Sequence, residues 1–342
     1  MQIINNYPGS AVEILNVDNA NNIAYLSLKK EHNSYSHYYN FKVINDDKKG
    51  EIHLANVGFS PYVKDQPTVP YLRKDNHWSV FPSADFSYKN GEVVLNVAPY
   101  ANYEISLYPS YTKKDLRELL LKINKYNFIT INEIEKLALT EIIIGDLTLP
   151  TVLVIGRQHP GETLSSFFIE GMIEAIIANV ELLTKYCFVF YPIINVKGVE
   201  QGNHRFSNGI DYNRIWNEKQ LPAEIAYLKA KLNNYNLISF IDIHNDEIST
   251  IDYVRSNFDL STLAIDNMLV LKDYSKWHRF LRALIKDKKI IDLSALTARE
   301  YVSKNYGCDN ILVELATNNS DLTAKEKGYE FIKQLKLERK RK

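Results

Sequence analysis

Apolar and polar positions along this chain change rhythm once, near residue 110. Before that point the apolar residues fall in short runs. AVEILNV, IAYLSLKK, SHYYNFKVI, EIHLANVGF, HWSVFPS, FSYKNGEVVLNVAP and YEISLYPS are rich in Val, Ile, Tyr and Phe. Clusters of Asn, Asp, Lys and Gly at 18–22, 45–50 and 74–76 separate them as turns. Asn90-Gly91 is a two-residue hairpin signal. Strands at this spacing predict an antiparallel β-sandwich over residues 1–110. From Lys113, KKDLRELLLKINKY has helical period, with Thr112 placed to cap it. Strands and helices then alternate. ITINEIEKLAL and EIIIGDLTLP read as strands, VLVIG as a strand, and residues 164–184 as a helix. CFVFYPIIN, ISFIDI and NILVELA read as further strands. LPAEIAYLKAKLNNY, YSKWHRFLRALIKD and a final segment from about 323 read as helices. The pattern predicts an α/β domain over 111–342, a sheet covered by helices.

Two of the buried strands end in metal-type side chains. VLVIG runs into RQHPGE, which places His159 and Glu162 on a loop leaving a rigid strand end. ISFIDI runs into His244. His2Glu is a ligand set of catalytic zinc, which takes three protein ligands and keeps one position open. Either His alone reads equally well as a hydrogen-bonded turn or core residue. The combination predicts one zinc held by His159, Glu162 and His244. In open α/β sheets ligands gather at the carboxyl ends of strands, where these three residues fall.

Composition narrows the partners. The 342 residues carry 41 Lys+Arg and 41 Asp+Glu, a formal net charge of zero. That balance gives no support for nucleic acid or an anionic membrane as partner. The two cysteines, Cys187 and Cys308, form neither a CxxC pair nor a disulfide framework. The N-terminal stretch has no signal-peptide pattern, and no apolar run reaches spanning length. A reducing, cytoplasmic setting is the expectation. The tail KLERKRK reads as a solvated helix end.

Two further stretches carry chemistry. Residues 195–216, NVKGVEQGNHRFSNGIDYNRIW, hold Arg205, Asn213 and Arg214. Near a zinc, one guanidinium could bind a carboxylate and another could stabilise an oxyanion. They could equally bridge to acids such as Asp211. Glu314 sits in the otherwise apolar strand NILVELA, where a carboxylate must be paired or functional. Near an activated water it could act as general base.

Taken together, these segments resemble the zinc carboxypeptidases, in the branch of cytosolic carboxypeptidases and their bacterial relatives. RQHPGET resembles the first metal motif and FIDIHNDE the second. GNHRFSNGIDYNR resembles the segment with the oxyanion arginine and an Asn-Arg pair, and NYGCDNILVE the one with the catalytic glutamate. YPGSAVEIL, YYNFKV and SLYPSYTKKDL resemble the β-sandwich that precedes the catalytic domain in this branch. The resemblance implies a mixed sheet and a zinc metallocarboxypeptidase acting on the C-terminal amide bond of a peptide or protein. It implies that Arg205 polarises the scissile carbonyl and that Asn213 and Arg214 grip the terminal carboxylate. Glu314 would activate water and protonate the leaving amine.

Three departures stand out. Asn245 follows the second His where the branch usually has glycine, and Leu-Ala follows Glu314. No tyrosine is clearly placed to cover the substrate; Tyr301 and Tyr306 are in the right region. Arg299 falls where the resemblance puts part of the side-chain pocket, and there it would favour release of C-terminal Glu or Asp. Its competing role is a surface pair with Glu300 or Asp309. Two other functions stay open, a related zinc amidohydrolase (a deacylase or an enzyme acting on cell-wall peptide) and a catalytically silent peptide-binding module.

Overall fold

The computed structural model describes residues 1–32, 35–57, 69–89, 91–247, 249–272 and 295–336. Its first ten strands are β1 (Gln2–Ile4), β2 (Val12–Asp18), β3 (Ile23–Leu28), β4 (Asn40–Ile44), β5 (Gly50–Ala55), β6 (Tyr71–Lys74), β7 (His77–Val80), β8 (Phe86–Lys89), β9 (Glu92–Val97) and β10 (Asn102–Ser106). They form two five-stranded sheets, in the orders β1-β4-β10-β6-β7 and β2-β3-β5-β9-β8. Alternate residues of facing strands, among them Leu26, Phe41, Val43, Ile52, Leu54, Val93 and Leu95, fill one shared core.

The expectation of wholly antiparallel sheets needs one correction: β3 and β5 run parallel. The chain leaves β3, crosses to the other sheet as β4, and returns to the first sheet in the same direction. Asp75 and Asn76, both at positive φ (51° and 64°), turn Lys74 back onto His77. Asp and Asn tolerate that left-handed geometry in a two-residue hairpin.

The second part contains α1 (Lys113–Ile123), β11 (Ile129–Ile134), β12 (Leu139–Ile144), β13 (Thr151–Gly156), α2 (Leu164–Ala178), β14 (Cys187–Tyr191), α3 (Val196–Glu200), α4 (Ala223–Leu232), β15 (Leu237–Asn245), β16 (Asp252–Ser256), β17 (Met268–Lys272), α5 (Ala298–Tyr306), β18 (Asp309–Leu315) and α6 (Asp321–Gln334). Thr112 caps α1 in a reciprocal box with Asp115. The expected helix over 274–287 and most of the KLERKRK tail lie outside the described residues.

The eight strands order as β11-β12-β14-β13-β15-β18-β16-β17, a mixed sheet. β14, β13, β15 and β18 are mutually parallel at its centre. Every residue of β12, β13 and β14 is buried, as expected of strands covered on both faces. Much of α2 is buried as well, because α6 covers the side turned away from the sheet. Two glycines permit that crossing. A Cβ on Gly171 would lie 1.8 Å from the Lys325 carbonyl oxygen, and one on Gly328 would lie 2.0 Å from that of Phe168. Three neighbouring parallel strands, β13, β15 and β18, therefore end side by side at one edge.

Candidate metal centre and active site

The loop after β13 is built to hold two side chains still. Arg157 takes φ +62°, and its buried guanidinium ties the loop to its surroundings. It donates to the Pro160 carbonyl, to the Tyr111 carbonyl at 3.0 Å and to Ser166 Oγ at 3.2 Å. Gly161 lies so close to His204 that a Cβ there would be 2.4 Å from its Nδ1. The Gly161 N–H donates to the His204 carbonyl at 2.8 Å.

Within this frame the three expected ligands converge. His159 Nδ1 lies 2.6 Å from Glu162 Oε1, and His244 Nδ1 lies 2.7 Å from Glu162 Oε2. All three side chains are buried, with donor atoms within 4.8 Å of one another. The far nitrogen of each ring meets a carboxylate. His159 Nε2 is 3.1 Å from Asp211 Oδ1, and His244 Nε2 is 3.1 Å from Asp242 Oδ1. Carboxylates that accept a hydrogen bond from Nε2–H would leave Nδ1 free to face a bound metal, the arrangement found behind metal-bound histidines. Burial alone would raise the Glu162 carboxyl, but the two imidazoles outweigh it and hold it well below the ordinary range. Two neutral imidazole nitrogens and one carboxylate fit zinc in charge and ligand type.

Glu314 stands on the neighbouring strand β18. It pairs in register with His244 on β15 and with Tyr253 on β16. Burial, with further repulsion from Glu162 and Asp246, raises its carboxyl to about 8 despite the opposing pull of His244.

The loop residues are arranged less simply. Arg205 is bridged to Asp211, with Nε and Nη2 each 2.9 Å from Oδ2, and its Nη1 lies 3.7 Å from Glu247. Asp211 thus holds His159 with one oxygen and Arg205 with the other. Asn213 Nδ2 lies 3.2 Å from His244 Nε2, the nitrogen that also faces Asp242, and its Oδ1 accepts the Ala298 N–H at the start of α5. Half-buried Arg214 donates from Nη1 to the Asn213 carbonyl at 2.7 Å. Arg299 is buried, and its Nη1 is 3.3 Å from Asn310 Oδ1, at the beginning of β18 and four residues before Glu314. Tyr301 packs against Trp216 beneath Lys229, and the Tyr306 hydroxyl donates to Asn233. The side-chain amide of Asn245, buried next to the second His in sequence, has no hydrogen-bond partner among the described residues.

Three residues of this site were not singled out from sequence as holding the histidines: Asp242, Asp211 and Gln158. Gln158 donates to both oxygens of Asp242 at 2.8 and 2.9 Å and accepts from Trp216 Nε1.

This fold is that of the metallo-carboxypeptidases. A metallo-carboxypeptidase from Burkholderia cenocepacia superposes with a TM-score of 0.78 over 97% of this chain and 96% of its own, at 14% identity. One from Pseudomonas aeruginosa, in complex with (2-guanidinoethylmercapto)succinic acid, gives 0.77 over 98% of each chain at 17% identity. Among curated sequences the chain is similar to cytosolic carboxypeptidase 1 of Mus musculus, 34% identical over 129 residues. It is also similar to cytosolic carboxypeptidase 6 of Caenorhabditis elegans, 33% identical over 128 residues. Those matches cover 36% and 33% of this chain but only 11% and 27% of the relatives' lengths. No family model matches the chain. No helix among the described residues is long and apolar enough to cross a membrane.

Proposed function

We propose that this chain is a zinc-dependent metallocarboxypeptidase that hydrolyses the C-terminal amide bond of a peptide or protein in the cytoplasm, with 1–110 and 111–342 as its two domains. The observation that carries the reading is the meeting of His159, Glu162 and His244 at the ends of adjacent parallel strands, with Glu314 in register beside His244 on the next one. One zinc per chain, held by the two Nδ1 atoms and the Glu162 carboxylate, would supply Lewis acidity to the scissile carbonyl and to the attacking water. The remaining work falls to the protein. Burial and its acidic neighbours hold the Glu314 carboxyl above its ordinary range, and a zinc beside it would draw it down toward the neutral range in which a carboxylate can accept a proton. Glu314 takes a proton from water on a carboxylate oxygen and returns it to the leaving nitrogen. Arg205 donates hydrogen bonds to the oxygen on which negative charge develops. Arg214 pairs with the substrate's terminal carboxylate, and Asn213 keeps His244 and the α5 terminus in place beside it.

We extend the proposal to a preference for acidic C-terminal residues, motivated by Arg299. Its guanidinium rests on Asn310, so the preference requires that an acidic side chain reach or displace that contact. Metal analysis, together with turnover on matched peptides bearing free and amidated C-termini, tests the whole reading. Zinc near one equivalent with turnover of free-acid peptides alone is the expected result. Cleavage of N-acyl amino acids without peptide turnover would replace it with an amidohydrolase. Peptide binding without hydrolysis would make the chain a binding module.

A further inference from the structure

The segment that carries Arg205 is gripped by residues about a hundred and seventy positions earlier in the chain. The Glu31 carboxylate accepts three consecutive backbone N–H groups, from His204 at 2.5 Å, Arg205 at 3.0 Å and Phe206 at 2.8 Å. Lys29 Nζ donates to the Gln201 carbonyl at 2.8 Å. The Tyr35 ring stacks on His204 and meets Phe206 edge-on, each with ring centroids 5.8 Å apart. Its hydroxyl donates to Glu247 Oε1 at 2.6 Å, the same oxygen that faces Arg205 Nη1.

Three successive amides turned onto one carboxylate form a charge-assisted nest. The nest fixes the backbone on both sides of the Arg205 Cα. Asp211 and Glu247 then fix the guanidinium, and Tyr35 fixes Glu247. An oxyanion donor needs this arrangement, because its benefit depends on being in place before charge develops. A packing contact between two sheets would need none of these charged groups.

We propose that Glu31 and Tyr35, contributed by the N-terminal β region, are positioning residues for Arg205, so that this region completes the active site. The role rests on the carboxypeptidase reading of Arg205 given above.

A competing use of the same cluster is a second metal site, since His37, His204 and Glu247 are buried within ligand reach of one another. His204 Nδ1 decides against it. That atom is buried without a hydrogen-bond partner among the described residues. A metal on Nε2 would force the ring proton onto this orphaned nitrogen, whereas metal-bound imidazoles normally give that proton to an acceptor. With the proton on Nε2 and donated to Glu247 at 3.1 Å, only a lone pair goes unmatched, the lesser cost.

The experiment is a double-mutant cycle on the zinc-loaded enzyme, with hydrogen exchange as an activity-independent arm. Glu31→Ala should lower kcat by about tenfold or more while KM stays within about twofold, and Tyr35→Phe should do so more mildly. Glu31→Gln, which keeps one acceptor oxygen, should recover part of the loss. In an Arg205→Ala background the same substitutions should change kcat by less than about twofold, because nothing remains to be positioned. The amides of 204–206 should exchange at least about tenfold faster in Glu31→Ala. If Glu31→Ala does not fold, Glu31→Gln and Tyr35→Phe carry the cycle. Equal losses with and without Arg205, or unchanged exchange at 204–206, would overturn the proposal. A wild type that holds zinc and protects 204–206 but turns over no peptide would overturn the catalytic reading, and the positioning role with it, while leaving the grip itself measured.

Discussion

Asp242 and His244 stand two residues apart on β15, and the Asp242 carboxylate lies 3.1 Å from His244 Nε2. Successive side chains of a strand alternate faces, so this spacing puts the acid directly behind the ring. Asp242→Asn removes the charge that fixes the tautomer. It should weaken zinc binding by about ten- to a hundredfold, as losses of such partners do. Competition with a chelator measures it, and an unchanged zinc affinity would mean that the Asp242 charge does not set the His244 tautomer.

That pair was within reach of the sequence. FIDIHN places an acid in an apolar strand, the same signal that pointed to Glu314, and the period of two connects it to His244. The ligands themselves were legible because rigid strand ends carry them. In the stretch 195–216 the candidates Arg205, Asn213 and Arg214 stood out but their contacts did not, because the segment has no period to read. Asn213 turns toward His244 and Ala298 only once α5 docks there, and Arg205 is framed by Glu31 and Glu247 from distant parts of the chain. The short strands β1 and β6 and the polar-interrupted β16 gave too few alternating positions to register.

Glu314→Gln should retain zinc and lose turnover by about a hundred- to ten-thousandfold. A second readout follows from the raised carboxyl. A group whose folded value lies above its ordinary 4.5 binds more protons in the folded state, so stability falls as pH rises from 4.5 toward about 8. The glutamine variant lacks that penalty. In metal-free protein its Tm advantage over wild type should be absent below pH 4.5 and grow up to about pH 8. A constant Tm difference across that range would place the Glu314 titration elsewhere.

Arg214 and Asn213, neighbours in sequence, should fail differently. Truncating one partner of a buried charge pair costs about 2–5 kcal/mol, so Arg214→Ala should cut kcat/KM on free-acid peptides by about thirtyfold or more. Slow amidated substrates should change little. Asn213→Ala should behave as a metal-site variant, with weaker zinc binding, because its amide lies against His244. Equal losses on free and amidated peptides for Arg214→Ala would make that arginine structural.

The side-chain preference separates two roles for Arg299. Its Nη1 contact, Asn310, lies four residues upstream of Glu314 on the same strand, a strand distance of about 13 Å at the usual rise. The chain's zero net charge gives no long-range steering toward acidic peptides, so any such preference must come from a local contact. If an acidic side chain reaches the guanidinium, peptides ending in Glu or Asp will turn over faster than those ending in Leu or Phe. Arg299→Leu should then shrink that ratio by about tenfold or more, since the acid would be buried without its partner. If Arg299 only ties α5 to β18, Arg299→Leu lowers Tm and leaves the ratio unchanged. Measuring both quantities on one variant decides between them, and a wild type that prefers C-terminal Lys would reject the pocket assignment while leaving the metal centre intact.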